Sequence, residues 1–369
     1  MRYNIDSLPP VNWLTYTIGF FKNGLNFQDV LLTLRGRDAI RVALKTINIQ
    51  KDDVILLPAL ICNTVTGPIS SSCKIKYYDL KKDYSINIEH INRLVNSDKN
   101  IRAIYVVHYF GFIQKKTSEI RDLCDKLGLI LIDDHAHSAL SVFDSNISDV
   151  SIFSFRKLLP TADGGGIQSK LNDKSLLNDF KPTLKSNLLG LIIGMKRLMV
   201  ARSVILRKWV GKSIQKNIEQ KSELATPVSA KPISRFASGI IKSADLNQIS
   251  RKRRNQFYQW NSLMMKYNQI PVFDTLENGT VPYGFPVRLS NPKRVQSHFK
   301  KYSVYLKIHW EEMPQGLEKE CPVSYQLVNN TITLPIHPGV TLEAMQFIAK
   351  EFDSIAMPMV GDVGDINDC

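Results

Sequence analysis

Cysteine is scarce in this chain: Cys62, Cys73, Cys124, Cys321 and Cys369 are scattered over 369 residues. No CxxC pair or Cys/His ligand spacing occurs among them, so the sequence offers neither a disulfide framework nor a zinc site, and a reducing cytoplasm is the compartment implied. Long apolar runs are missing too. The longest, LLGLIIGM at Leu188–Met195, falls far short of the ~18 residues a bilayer span needs. The opening MRYNIDSLPPVNWL has no basic stretch leading into an apolar one, so the chain reads as neither secreted nor membrane-spanning. Internal repeats and low-complexity tracts are absent.

Acidic residues are also few, 34 against 48 Lys and Arg, which gives a net charge of +14. The imbalance is local. Between Lys181 and Gln256 stand 17 Lys or Arg against only Glu219, Glu223 and Asp245, an excess equal to that of the whole chain. Such a stretch reads first as a solvated helical surface, then as a face for a nucleotide diphosphate or an acidic membrane. Regular aromatic interleaving, zinc-finger and RNP signatures are missing, which argues against nucleic acid.

What is present is an ordinary globular composition, 44% hydrophobic and 22% charged, long enough for a large domain plus a smaller one. GRDAIRVALKTI reads as a helix opening on Gly36, with Ile40, Leu44 and Ile47 on one face. DVILLP, CKIKYYDL, AIYVVHYFG and LILIDDHAHS then read as strands, separated by the helical NTVTGPIS, NIEHINRLV and TSEIRDLCDKLG. This α/β alternation from Gly36 to Ser169 predicts a mostly parallel sheet with ligands at the carboxyl ends of its strands. Chemically rich stretches fall at three such ends: VVHYFG, IDDHAHS and FSFRK. A basic helical segment follows, about 181–245. After RKRRNQFYQW comes a smaller α+β unit with strands YGFPVRL and VYLKIHW and a closing helix TLEAMQFIAKEF.

SFRKLLPTADGGG poses the chemical question, because Lys157 stands between a buried strand and a glycine triplet. Pyridoxal phosphate asks a protein for a lysine to bond its aldehyde, a carboxylate for its ring nitrogen, a phosphate cup and a partner for its ring oxygen. Lys157 supplies the amine and Asp134, at a strand end, the carboxylate. The helix opened by Gly36, with the N–H groups of Arg37 and Asp38, supplies an anion site to which Ser154 adds a hydroxyl. Singly each signal is bland: glycine before a helix is usually a turn, paired aspartates often cap, and a lysine after a strand is most often solvated. Their conjunction in this order carries the reading.

The runs GRDAIRVALKTINIQKDDVILLPALICNTV, IRAIYVVHYFG, LGLILIDDHAHS, SDVSIFSFRKLLPTADGGGI and NNTITLPIHPGVTLEAM together resemble the DegT-type nucleotide-sugar aminotransferases. The resemblance implies a PLP-dependent transferase fold (aspartate aminotransferase-like), with a large domain over 1–245, including an N-terminal arm, and a small C-terminal domain over 246–369. It implies that Asp134 meets the pyridine nitrogen, His137 the ring oxygen, Ser154 the phosphate and Lys157 the cofactor's aldehyde. It sets Cys62 where the family has an aromatic ring on the cofactor's face, and Lys242 where the family has an asparagine reaching a partner subunit's phosphate. His108 stands where the family also has histidine, and His309 in YLKIHW is expected to line a sugar pocket. The lysine is two residues nearer the serine than in the family, and His135 replaces a small residue.

The activity implied is transfer of an amino group, from glutamate by family analogy, to a keto sugar carried on a nucleotide, in amino-sugar or bacterial surface-polysaccharide synthesis. The implied assembly is a cytoplasmic homodimer. The alternatives are a PLP-dependent sugar dehydratase and a catalytically idle relative that binds sugar, a membrane surface or an assembly. No metal ligand set is expected, and Arg253 and Arg254 with Lys242 are expected to serve the substrate's diphosphate.

Overall fold

The computed structural model describes residues 3, 5–171, 180–202, 230–311 and 313–357. Cys369 and 203–229, the middle of the basic segment, lie outside the described residues. A seven-stranded sheet forms from β1 (Leu31–Thr33), β2 (Val54–Pro58), β3 (Lys74–Tyr78), β4 (Ile101–Val107), β5 (Ile130–His135), β6 (Val150–Phe153) and β7 (Gly165–Ser169). Its order is β1-β7-β6-β5-β4-β2-β3. Strands β2 to β6 pair in parallel, whereas β7 runs antiparallel to both β6 and β1. The fold is the α/β one expected of PLP-dependent transferases, with a mostly parallel sheet.

The sequence explains the layering. Strands β2 and β6 are buried at every position and β5 at all but its first, as continuous apolar runs require when helices cover both faces. The helices between them are α2 (Gly36–Thr46), α3 (Asn63–Ser70), α4 (Ile88–Ser97) and α5 (Thr117–Leu127). α2 buries Ile40 and Leu44 as its periodicity predicts. α5 stops at Gly128, which takes the left-handed conformation at φ 66°. Ahead of the sheet stands α1 (Trp13–Ile18); beyond it come α6 (Leu184–Arg202) and α7 (Arg235–Ser243). Among the described residues no helix is long and apolar enough to cross a membrane.

A second, antiparallel sheet has the order β10-β9-β8, built from β8 (Ile270–Pro271), β9 (Gly284–Arg288) and β10 (Thr331–Pro335). Around it lie α8 (Leu246–Lys266), α9 (Pro292–Lys300), α10 (Pro322–Asn329) and α11 (Leu342–Ile355). VYLKIHW is not a strand. It makes only isolated bridges, Val304 with Ile5 and Lys307 with Thr333, because its backbone is shared between the N-terminal arm and β10. The arm follows it through Ile5 N–H to the Ser303 carbonyl and Tyr305 N–H to the Ile5 carbonyl, both at 2.9 Å.

Candidate active site

Three strand ends and one helix start meet in a pocket of about 660 Å³, a volume that includes solvent at its open mouth. β5 supplies Asp134 to it. Because side chains alternate along a strand, the neighbours Asp133 and His135 face the other way. Both oxygens of Asp134 are held: Oδ2 accepts from the Tyr105 hydroxyl at 2.8 Å and Oδ1 from the Ala136 N–H at 2.7 Å. The carboxylate is thereby fixed in one orientation, with lone pairs to spare.

His137 follows one turn later, stacked on Tyr283 with centroids 4.0 Å apart and on Trp310 at 5.5 Å. Burial, with Lys157, His309 and Lys307 as cationic or histidine neighbours, holds its pKa well below the usual value. The neutral ring accepts the Phe110 N–H on Nδ1 at 3.4 Å, which leaves the proton on Nε2 for an oxygen acceptor.

Lys157 ends a short 3-10 turn, Phe155–Lys157, in which its own N–H bonds to the Ser154 carbonyl at 3.1 Å. That turn shortens the path, so Ser154 and Lys157 line one pocket despite their close spacing. Burial lowers the Lys157 pKa and Arg156 adds to the effect, against the opposing pull of Cys62 and Asp134. A half-buried amine whose pKa is lowered gives up its proton more readily, which is what a nucleophilic lysine needs.

The glycine triplet has a steric cause. Gly164 has φ +127°, and a Cβ on Gly165 would overlap the Arg35 carbonyl and come within 2.5 Å of the Gly36 nitrogen. β7 thus lies directly against the start of α2. There Arg35 is the N-cap without a side-chain cap bond, and Gly36 and Arg37 line the pocket. A Cβ on Gly36 would reach to 3.6 Å from the Ser154 Cβ and 3.7 Å from its Oγ, filling the gap between helix start and serine.

Asp38 is a correction. It is absent from the pocket lining: its N–H bonds to the Arg35 carbonyl at 2.9 Å, and its buried carboxylate turns to the Lys231 N–H and Arg41. Two histidines also move. His309 stands behind the pocket, its Nδ1 paired with Thr333 Oγ1 at 3.0 Å, while the next residue, Trp310, forms the wall. His108 faces the opposite side of β5, stacked on His135 at 4.3 Å and 3.7 Å from Asp133 Oδ2.

His108, Asp133 and His135 have metal-ligand spacing, and His108 Nε2, Asp133 Oδ1 and His135 Nε2 are buried without hydrogen-bond partners, the two Nε2 atoms lying 3.7 and 4.0 Å from Asp133 Oδ2. However, His108 Nδ1 accepts the Gln114 N–H at 3.0 Å, so the neutral ring carries its proton on Nε2 and presents no lone pair there. Lys242 lies at the end of α7, in a groove lined by Gln28, Val30 and Phe180 and apart from this pocket. Arg253 is fully buried and its Nη groups donate to the carbonyls of Leu158, Pro282, Tyr283 and Ile336, which leaves only a buried Nε–H and takes the residue away from a diphosphate. Arg254 is likewise engaged with the carbonyls of Glu277 and Thr280.

Residues 21–181 match the model of the DegT/DnrJ/EryC1/StrS aminotransferase family. Over that stretch the chain is similar to the DegT family. A UDP-4-amino-4,6-dideoxy-N-acetyl-beta-L-altrosamine transaminase of Campylobacter jejuni is 31% identical over 150 residues, 39% of each chain. A GDP-perosamine synthase of Vibrio cholerae is 27% identical over 161 residues, 40% of this chain and 42% of that one. The matched region thus spans about two fifths of these relatives. A sugar aminotransferase of Streptococcus pneumoniae, solved in its PMP form, superposes with a TM-score of 0.69 over 95% of this chain and 97% of that chain, at 14% identity. That likeness extends the shared fold beyond the matched stretch.

Two departures from the DegT resemblance, Cys62 and His135, are placed apart, one in the pocket and one outside it. Cys62 lines the pocket beside Thr64, whose Oγ1 is 2.9 Å from its sulfur. His135 is packed away between His108 and Phe143, with centroids 4.3 and 3.9 Å away. Tyr105, Arg35, Arg156, Tyr283 and Trp310 escaped the sequence reading. Tyr105 was within reach, because a tyrosine two residues before Val107, which pairs with Asp134, shares the carboxylate's face. Trp310 had no such signal, since its segment lacks regular structure.

Proposed function

We propose that this chain is a PLP-dependent aminotransferase that moves an amino group, from glutamate, to a keto sugar carried on a nucleoside diphosphate. The observation that carries the reading is the convergence of half-buried Lys157, doubly held Asp134 and neutral His137 on one pocket. The pocket's residues fit pyridoxal phosphate: a cradle between Gly36 and Ser154, an uncapped helix start, and a cationic lining around one carboxylate. The relatives named for UDP- and GDP-linked amino sugars support the substrate class.

When bound, the cofactor supplies an electron-withdrawing ring beside the substrate's nitrogen. Asp134 would keep a proton on the ring nitrogen. His137 would offer its Nε2–H to the ring oxygen. Ser154 Oγ and the start of α2 would hold the phosphate. Lys157 Nζ would hold the cofactor's aldehyde and would move a proton at the carbon bearing the substrate's nitrogen. Trp310 and Tyr283, packed around His137, would shield that side from water.

A homodimer belongs to the same proposal, with Lys242 serving the partner copy's pocket. So do a division into two domains near Asp245, where α8 begins, and a cytoplasmic setting, which the free thiols of Cys62, Cys73, Cys124 and Cys321 support.

The test is direct. Purified protein should be yellow and bleach with glutamate, and borohydride should fix the pyridoxyl mass on Lys157. Incubation with UDP- and GDP-linked keto sugars should then yield the aminated product by mass spectrometry. A colourless protein that takes up no cofactor overturns the reading in favour of an idle relative, and a deoxygenated product in favour of a dehydratase.

A further inference from the structure

The proposed chemistry accounts for Lys157, Asp134, His137 and Ser154, but not for the arginines around them. Arg35, Arg37 and Arg156 line the same pocket as Lys157, against Asp134 as its sole carboxylate among the described residues. Burial, followed by the like charges of Arg156 and Arg37, pushes the Arg35 pKa down to about 10. Burial, followed by Arg197 and Arg37, does the same to Arg156. Both stay protonated at neutral pH.

Other arginines in this chain show how it satisfies a buried guanidinium. Arg253 donates to four carbonyls, and Arg197 to the carbonyls of Thr161 and Pro9. Arg156, half-buried, has no such arrangement: among the described residues its side chain makes no hydrogen bond or ion pair at all, whereas in Arg253 only the buried Nε is left over. Confining Arg156 beside Arg35 is costly where carboxylates are few, here Asp134 in the pocket and Asp38 and Asp163 toward Arg35, and an anion completes the set. The uncapped start of α2, beside Arg35, is the second feature that calls for one.

We infer that Arg156, with Arg35, forms a charged oxyanion subsite in the Lys157 pocket, adding a guanidinium fork to the otherwise neutral cup of Ser154 and the α2 start. The group it takes is a phosphate monoester or a carboxylate, the two oxyanions that planar guanidinium recognises. Under the proposed function, which this inference rests on, the first comes from the cofactor and the second from the amino donor. Arg156 also stands next to Lys157 and depresses the basicity of its amine, so an anion in the fork relieves the repulsion and makes the lysine more basic.

The experiment uses the full chain stripped of cofactor, as wild type, Arg156→Gln and Arg156→Lys. Each is titrated with pyridoxal phosphate, with pyridoxal lacking the phosphate, and with inorganic phosphate followed by thermal shift. Competition by succinate is measured against bound cofactor. If the cofactor's phosphate is the occupant, Arg156→Gln weakens pyridoxal phosphate by about tenfold or more and leaves pyridoxal unchanged, with Arg156→Lys intermediate. The stabilisation by inorganic phosphate is then lost as well. If the donor's carboxylate is the occupant, the ratio of pyridoxal phosphate to pyridoxal affinity stays as in wild type, and succinate competition weakens by a similar factor. A folded Arg156→Gln protein with wild-type affinity for all four probes overturns the inference while leaving the aminotransferase reading intact. Failure of wild type to bind pyridoxal phosphate, with phosphate stabilisation still dependent on Arg156, removes the aminotransferase reading and leaves the subsite.

Discussion

The Tyr105 hydroxyl donates to Asp134 Oδ2 over 2.8 Å, from β4 to the neighbouring β5. The tyrosine is fully buried, and burial, then the carboxylate's charge, raises its pKa well above the usual value, so it remains a donor throughout the working pH range. Asp134 has a second donor in the Ala136 N–H, but that bond is local to its own turn. Tyr105 is therefore the cross-strand restraint on the carboxylate's angle.

Tyr105→Phe should leave the fold intact and weaken that restraint. The expected result is a fall in turnover of about tenfold, the scale of one charge-assisted hydrogen bond, with little change in the Michaelis constant for the sugar. The pH dependence of the bound cofactor's absorbance band should shift in the same variant. A purely structural role would lower the melting temperature and leave the band where it is.

Gly165 tests the steric contact that aligns the lysine loop with the phosphate cradle. Gly165→Ala forces a methyl into the Arg35–Gly36 backbone, and overpacking of this kind costs about 2 kcal/mol. Urea unfolding should register that loss, and cofactor affinity should fall with it because the start of α2 is displaced. Gly67→Ala in α3, where a Cβ meets open space, is the control and should leave cofactor affinity unchanged while gaining about 0.5–1 kcal/mol from helix propensity.

The sheet was legible because β2, β5 and β6 are apolar runs flanked by amphipathic helices, and period alone distinguishes the two. Asp134 and Lys157 were legible because they fall at strand ends in a fixed order. His309 and Trp310 were not: a one-residue error in an irregular segment exchanges the wall of the pocket for the layer behind it. Charge misled in another way. Arg253 belongs to a basic run, yet the run forms a helix, and the position facing the second sheet is buried whatever its charge. Composition reports how many cations there are, not which of them the fold turns inward.

Arg253 should behave as a clasp. Its Nη2 donates to the Leu158 carbonyl, next to Lys157, while its Nη1 donates to the Pro282, Tyr283 and Ile336 carbonyls. Lysine has a single ammonium and cannot reach both sides. Arg253→Lys should therefore cost about 3 kcal/mol in urea unfolding, the scale for buried carbonyls left without donors. An unchanged midpoint, with a raised Michaelis constant for the sugar, would return this residue to the substrate site.

His337 sets a pH limit on stability. Its Nε2 is 2.7 Å from the Asp6 carbonyl, which can only accept, and its Nδ1 accepts the Gly339 N–H at 3.1 Å. A proton added at Nδ1 would face that N–H directly, and burial, the largest cause, lowers the folded-state pKa from 6.5 to about 4. Above pH ~6.5 neither the folded nor the unfolded histidine is protonated, and the full stability is present. As pH falls through that value the unfolded chain gains a proton that the folded one refuses, so stability declines until pH ~4, by about 3 kcal/mol in all at about 1.4 kcal/mol per unit. Carboxylates titrate in the same range, so the measurement is a difference. Urea unfolding of wild type and His337→Gln at pH 7.5 and 4.5 should show the variant less stable at 7.5 and losing less on acidification. The expected gap between the two losses is about 2 to 3 kcal/mol. Parallel losses in both proteins would place the acid sensitivity on other groups, first among them the buried histidines His135, His137 and His309, whose folded-state pKa values are also held low by burial.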